Sequence, residues 1–263
     1  NCNGNQLSPD AKGQQDAELV EKTFQLAELF GVEKIAMMSG LPGGGPDAKY
    51  ANWVICCWPP VMLEMLDYQW NEVGIPYWEK TVKLAEKHGI KQIALEVHPT
   101  QIVYNVPTLL RLRNAVGPMI GANLDPSHLF FMGMDPIAAA KVLGKEKAIY
   151  HVHAKDTHIE KDVADLNGNH ETAAYLSNPA YERSWTYCAL GYGHDVFWWK
   201  RYLMTLLEFG YDGPLSLEIE DVVMPSVIAT AKSVDLLKDA MPRDFTRNFA
   251  PELLDIKGLG FDI

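Results

Sequence analysis

Four short clusters of ionisable residues punctuate this sequence: Glu96 with His98, Asp125 with His128, His151 and His153 with Lys155, and Glu218 with Glu220. Each falls at or just beyond the end of an apolar run of strand type. Side chains at i and i+2 share one face of a strand, so the members of each cluster point the same way. Turned against a layer of helices they would be buried unpaired, at roughly several kcal/mol each. Turned inward, Glu96, Asp125, His153 and Glu218 come from four strands to one mouth. Three carboxylates and one imidazole suit a hard or borderline divalent ion. Mn²⁺ or Mg²⁺ fits best, Co²⁺ or Zn²⁺ is also admitted, and a thiolate-loving metal is not.

Taken singly, each group has a plainer reading. Asp125, ahead of Pro126-Ser127-His128, has the form of a helix N-cap, and His151 and His153 could be satisfied core histidines. Coincidence at four strand ends is harder to accept, which favours the cation site.

The elements that must position these residues alternate. Strands are predicted at Lys34–Ser39, Gln92–Val97, Ile120–Asp125, Ala148–Lys155 and Pro214–Glu220. A helical pattern precedes each: 16–30 ending at Gly31, 76–88 at Gly89, 106–116 at Gly117, 136–143 at Gly144 and 197–209 at Gly210. A further helix is predicted over 225–237. In the first helix Leu19, Phe24, Leu26, Ala27 and Phe30 are expected near one face. Strands alternating with helices imply parallel strands and right-handed crossovers.

A doubly wound sheet and a (βα)8 barrel both satisfy that alternation, and the polar residues separate them. A barrel gathers all its strand ends at one mouth, whereas a doubly wound sheet concentrates its chemistry at one crevice, usually after a glycine-rich phosphate turn. The only glycine cluster, Gly43-Gly44-Gly45, has neither the dinucleotide spacing nor the Walker lysine. The reading is therefore a (βα)8 TIM barrel in one domain spanning residues 1–263. Only five complete strands are visible, and Asn1–Asn5 reads as the end of another, so two βα units and most of the third strand are expected upstream. Segments 53–58 and 185–190, crowded with Trp, Cys or Pro, are read as loops.

With 23 basic and 34 acidic side chains, the formal net charge is −11. No basic face is available to neutralise a nucleic-acid backbone. No apolar run reaches the 18 or so residues of a membrane helix, so no membrane partner is expected. Cys56 and Cys57 are adjacent, Cys2 and Cys188 isolated. That is no disulfide framework, and a reducing compartment such as the cytoplasm is expected.

The segments Ile93-Ala94-Leu95-Glu96-Val97-His98-Pro99, Gly121-Ala122-Asn123-Leu124-Asp125-Pro126-Ser127-His128-Leu129, Tyr150-His151-Val152-His153-Ala154-Lys155-Asp156 and Gly213-Pro214-Leu215-Ser216-Leu217-Glu218 together resemble the sugar phosphate isomerase/epimerase superfamily of xylose-isomerase-like TIM barrels. The likeness extends over essentially the whole chain. It implies one divalent metal ion held by Glu96, Asp125, His153 and Glu218, with a small-molecule sugar as substrate. It also implies a substrate-binding role for His128, and one for Arg183 over the sugar. The implied reaction is isomerisation or epimerisation of a ketose or keto-sugar, by proton transfer through a metal-bound enediolate. Glu96 and Glu218 are the pair that would remove and return the proton.

Other groups extend this picture. Trp58 is one of several loop aromatics that could stack on a sugar, and the turn Gly191-Tyr192-Gly193-His194 could carry His194 to the mouth. His98 and Lys155 add acid/base capacity beside the metal. Related barrels use such groups for elimination or hydration, so a lyase or hydratase acting on a 3-keto-sugar, an inosose or a C-glycoside is the second reading. A non-catalytic sugar-binding barrel or subunit is a third, whose mark would be substituted ligand positions; all four are in place. No phosphate cradle is visible. A homo-oligomer is left open.

Overall fold

In the computed structural model, residues 2–172 and 178–242 are described. Five strands form one parallel sheet in sequential order: β1 (Lys34–Met37), β2 (Gln92–Glu96), β3 (Ile120–Leu124), β4 (Ile149–Ala154) and, last in the chain, β7 (Leu215–Leu217). These are the five expected strands, and they make a half-barrel of the TIM type. Cys2 bridges Met37 in parallel at the outer side of β1, its N–H donating to Ala36 O and its carbonyl accepting from Met38 N.

The strands form because their runs are apolar on both faces, as parallel strands under helices require. Ile93, Ala94, Leu95, Ile120, Ala122 and Leu124 are wholly buried. Each large aliphatic among them contributes about 1.5–3 kcal/mol by leaving water. Registers are direct between β2 and β3, with Glu96 beside Asn123. A shift between β3 and β4 sets Asn123 beside His151. Strand ends, and the polar residues on them, are thereby brought level.

Helices α1 (Ala11–Phe30), α3 (Ile75–Lys87), α4 (Val106–Val116), α6 (Pro136–Lys145), α8 (Val196–Glu208) and α9 (Ser226–Ala240) are the crossovers and the final helix. Side-chain caps start several of them: Asp10 accepts from Gly13 N, Asn105 from Thr108 N, Asp135 from Ile137 N and Asp195 from Trp198 N. A short helix, α2 (Val61–Asp67), runs through a π-helical turn at Tyr68–Gly74 into α3. Gln69 in that turn donates to the carbonyls of Pro42, Gly43 and Asn52, tying down the long loop after β1.

Three expectations are corrected. The helix over 136–143 does not stop at Gly144 but runs to Lys145. A Cβ at 144 would meet Phe209 Cβ at 2.5 Å, so glycine is there for close packing. On α1 the inward residues are Gly13, Asp16, Val20, Phe24 and Ala27, whereas Leu19, Leu26 and Phe30 are exposed; the apolar residues form two stripes and only one is covered. Finally, Trp185–Cys188 is a strand. This β6 pairs antiparallel with β5 (Asp156–Ile159) in a separate two-stranded sheet, so the segment is ordered without belonging to the barrel. The segment 53–58 is irregular, as expected. None of the helices among the described residues is long and apolar enough to cross a membrane, and all four cysteines are free.

Candidate metal centre

Four strand ends meet. Glu96 closes β2, Asp125 follows β3, His153 lies near the end of β4, and Glu218 follows β7. One donor atom from each of these four lies within 4.8 Å of the others. Nδ1 of His153 stands 3.1 Å from Glu218 Oε2, 3.5 Å from Asp125 Oδ2 and 3.9 Å from Glu96 Oε1. Nδ1 of His153 and Oδ2 of Asp125 are nevertheless buried without a hydrogen-bond partner. Buried polar atoms in that state are costly, and a cation among them would satisfy both.

Asp125 serves two masters. It is the N-cap of helix α5 (Pro126–Phe131), Oδ1 accepting from Ser127 N at 2.8 Å, while Oδ2 is the orphan. The capping reading is met by Oδ1, and Oδ2 is left available to a cation. Beyond His153, Asn123 Nδ2 lies 3.1 Å from Nε2. An amide can rotate to present either end. Presenting Oδ1, which is otherwise buried without a partner, Asn123 accepts from Nε2–H, so that Nδ1 is the nitrogen facing the carboxylates and can exchange its proton for a cation. That is the outer hydrogen bond a metal-ligating histidine usually makes. The donor set therefore fits a divalent cation.

Electrostatics follow the crowding. Burial works against the charge on Asp125, yet His128, His153 and Lys155 outweigh it and hold the carboxyl below its ordinary range. Burial also disfavours protonated His153, but Asp125, Glu218 and Glu96 push it up to about 10 in the protein alone. Glu218 is lowered, first by its contact with His153 and then, against burial, by Lys155. Lys155, only 3 % exposed, reaches Glu218 at 3.3 Å and Glu220 at 2.7 Å, and its ammonium lies 4.1 Å from the Tyr187 ring centroid. Its pKa is raised because these carboxylates and Asp125 overcome burial.

His128, His98 and the β5–β6 hairpin pack around these four residues. His128 Nε2 donates to Glu96 Oε1 at 2.9 Å, and Tyr187 OH meets Nδ1 at 2.9 Å. The His98 ring packs 4.2 Å from His128, centroid to centroid. Burial and His128 together depress its pKa to about 4. Trp185 stacks on Phe131 at 4.1 Å, and Trp53 meets Tyr104 edge-on at 5.5 Å.

Of the substrate-contact candidates, His128 and Lys155 stand at the cluster. Arg183 is buried and donates to Thr186 Oγ1, on the hairpin. His194 pairs with Asp156 at 2.8 Å and stacks on Phe130 at 3.5 Å. Trp58 is 73 % exposed, while Trp53 and Trp185 carry the packed rings. Sequence reasoning overlooked Asn123 and Tyr187. Asn123 lies on β3 two residues before Asp125, and that spacing could have found it. Tyr187 gives no such signal, because Trp185–Cys188 and its flanking turn-formers read as a loop in the sequence.

Over residues 2–240 the chain matches the family described as xylose isomerase-like TIM barrel. It is 50 % identical over 243 residues to the uncharacterized protein YfiH of Bacillus subtilis (strain 168), covering 92 % of this chain and 76 % of that one. It resembles the solved structure of IolI protein with a binding zinc atom, at TM-score 0.60 and 18 % identity over 92 % of this chain and 75 % of that. It also resembles D-psicose 3-epimerase from Clostridium cellulolyticum H10 with D-tagatose, at TM-score 0.51 and 13 % identity over 90 % and 73 %. At such identities the structural likeness bears on the fold alone.

Proposed function

Because the chain belongs to the xylose isomerase-like TIM barrel family, we propose that it is a divalent-metal-dependent isomerase or epimerase of a ketose or keto-sugar. The observation that carries this reading is the convergence of Glu96, Asp125, His153 and Glu218, with two buried donor atoms lacking any other partner. These four residues hold the ion, with Mn²⁺ or Mg²⁺ favoured by three oxygens and one nitrogen. When bound, the cation supplies electrostatic stabilisation of negative charge developing on the substrate's carbonyl oxygen.

The remaining work falls to the protein. Glu96 and Glu218, from strands on opposite sides of the cluster, remove the proton beside the carbonyl and return it. His128 fixes the Glu96 carboxylate through its Nε2–H, and Lys155 does the same for Glu218. Both also meet the substrate's hydroxyls. Arg183 and His194 hold the hairpin and the loop after it, and Trp58 is left without a role. An IolI structure with zinc and a D-psicose 3-epimerase with D-tagatose share the fold, so the scaffold is one on which a metal and a sugar can be accommodated.

One observation favours the second reading, a lyase or hydratase. Nδ1 of His98 donates to Pro99 O at 2.5 Å, so in the neutral ring Nε2 keeps a lone pair able to take a proton during loss of a hydroxyl. The test is a panel of keto-sugars turned over in heavy water by the Mn²⁺-loaded protein. Deuterium beside the carbonyl with the product isomeric to the substrate is expected. A product lighter by one water would favour the lyase, and no turnover of any keto-sugar would overturn both.

A further inference from the structure

Cys56 and Cys57, adjacent in the loop after β1, are both exposed and free. The other two thiols are shielded. Cys2 is buried and donates to Thr23 Oγ1 at 3.2 Å. Burial, Asp156 and Asp221 push the Cys188 thiol up, which withholds its thiolate. An oxidant arriving from solvent therefore meets the exposed pair first.

The pair lies in a stretch held at both ends and not between. On one side Asn52 N donates to Pro42 O at 3.0 Å, Asn52 O accepts from Gln69 Nε2 at 2.6 Å, and Val54 is buried. On the other, Met62 N and Leu63 N donate to Pro59 O and Pro60 O at the start of α2. Residues 55–58 make no hydrogen bond among the described residues. Ile55 and Trp58, which flank the pair, are 49 % and 73 % exposed. The chain can thus turn about the Cys56–Cys57 peptide without breaking a hydrogen bond or uncovering the core.

Consecutive Cα atoms across a trans peptide are about 3.8 Å apart, short of the roughly 4.4–6.8 Å that an unstrained disulfide spans. A bond between neighbours closes a tight ring that is readily reduced. That suits a reversible mark and not a structural tie.

We propose that Cys56 and Cys57 are a redox-modification site, which hydrogen peroxide closes to a disulfide and glutathione reopens. One thiol, as its thiolate, attacks a peroxide oxygen and the O–O bond breaks. A sulfenic acid forms, and the departing hydroxide takes up the thiol's proton as water. The second thiol attacks the sulfenic sulfur; the S–S bond forms, and the hydroxyl leaves with that thiol's proton as a second water. Two thiols lose two electrons and two protons, which one peroxide takes up. Glutathione reverses the closure and is itself oxidised to its disulfide. None of these steps involves the cation site.

The test treats the reduced protein with equimolar hydrogen peroxide, blocks the remaining thiols with N-ethylmaleimide in denaturant, and maps tryptic peptides by mass. Trypsin cuts after Lys49 and Lys80, so Cys56 and Cys57 share one peptide with no other cysteine. That peptide is expected to lose two hydrogens and take up no maleimide, while Cys2 and Cys188 are blocked in full. Glutathione should restore two blockable thiols. At least one of Cys56→Ser and Cys57→Ser should stop at a sulfenic acid that dimedone captures. Both thiols still blocked after peroxide, sulfinic acid in place of the disulfide, a disulfide to a second chain, or a bond that glutathione leaves closed would each overturn the proposal.

Discussion

Oδ2 of Asp125 and Nδ1 of His153 lie 3.5 Å apart, both buried and neither hydrogen-bonded. The other oxygen of Asp125 caps α5, and asparagine caps a helix about as well as aspartate. Asp125→Asn therefore separates the two duties of one side chain. In the parent, Mn²⁺ at about 100 times its dissociation constant should add about 2.7 kcal/mol to stability. The variant should fold but lose most of that gain, as read by denaturant unfolding with and without Mn²⁺. An equal gain in the variant would show that the ion sits elsewhere.

Glu218→Gln keeps the shape of the side chain and removes its basicity. Solvent deuterium should cease to enter the substrate, with a fall in turnover of about 100-fold or more, the usual contribution of a placed acid or base. Metal content must be measured alongside, since the amide is also a poorer ligand. A variant that binds metal normally and turns over at the parent rate would remove Glu218 from the proton path.

Lys155 contributes to the lowered pKa of Glu218. Replacing it with methionine should raise that pKa, visible in a carbon-13 titration of carboxylates in the metal-free protein. The sign for stability follows. A carboxylate lowered on folding stabilises the protein above its unfolded pKa, and that contribution is lost as the pH falls through the folded value. Lys155→Met should shrink this contribution and move its loss to higher pH. No movement of Glu218 would mean that His153 alone sets its acidity.

The sequence made the barrel's own strands readable because parallel strands between helices are apolar throughout. Polar residues at their ends, such as Glu96 and Asp125, then stand out. It made His153 readable through alternation. The β5–β6 hairpin was hidden for a physical reason: its two strands are 25 residues apart, and Trp185–Cys188 is short and flanked by turn-formers. Tyr187 was hidden with it. The end of α6 was misread because Gly144 has the look of a cap, whereas the helix runs on and Lys147 takes the positive φ of 49°. Single-sequence patterns report what a residue could do locally, and here Phe209, distant in the chain, decided it.

Asp156 is wholly buried and accepts from the backbone N–H groups of Gly191, Gly193 and His194, besides pairing with the His194 ring. Asp156→Ala strands those donors, at a cost of about 2–4 kcal/mol, measured by denaturant unfolding. Gly193→Ala should act on the same loop, because its Cβ would meet the Thr157 carbonyl oxygen at 2.3 Å. A change under about 0.5 kcal/mol in either would show that the loop carries little of the fold's stability.

Between β4 and β5 lies one residue, Lys155. The hairpin bearing Trp185 and Tyr187 is therefore bolted to the strand that carries His153, and three residues at full stretch span only about 10 Å. Swinging the hairpin outward by the width of a sugar ring would drag His153 from its place. Its stiffness makes it a fixed wall. The long loop after β1 is held differently, by side chains from several elements: Gln69 donates to Pro42, Gly43 and Asn52, Asn5 bonds both backbone groups of Leu41, and Trp53 meets Tyr104 and His170 edge-on.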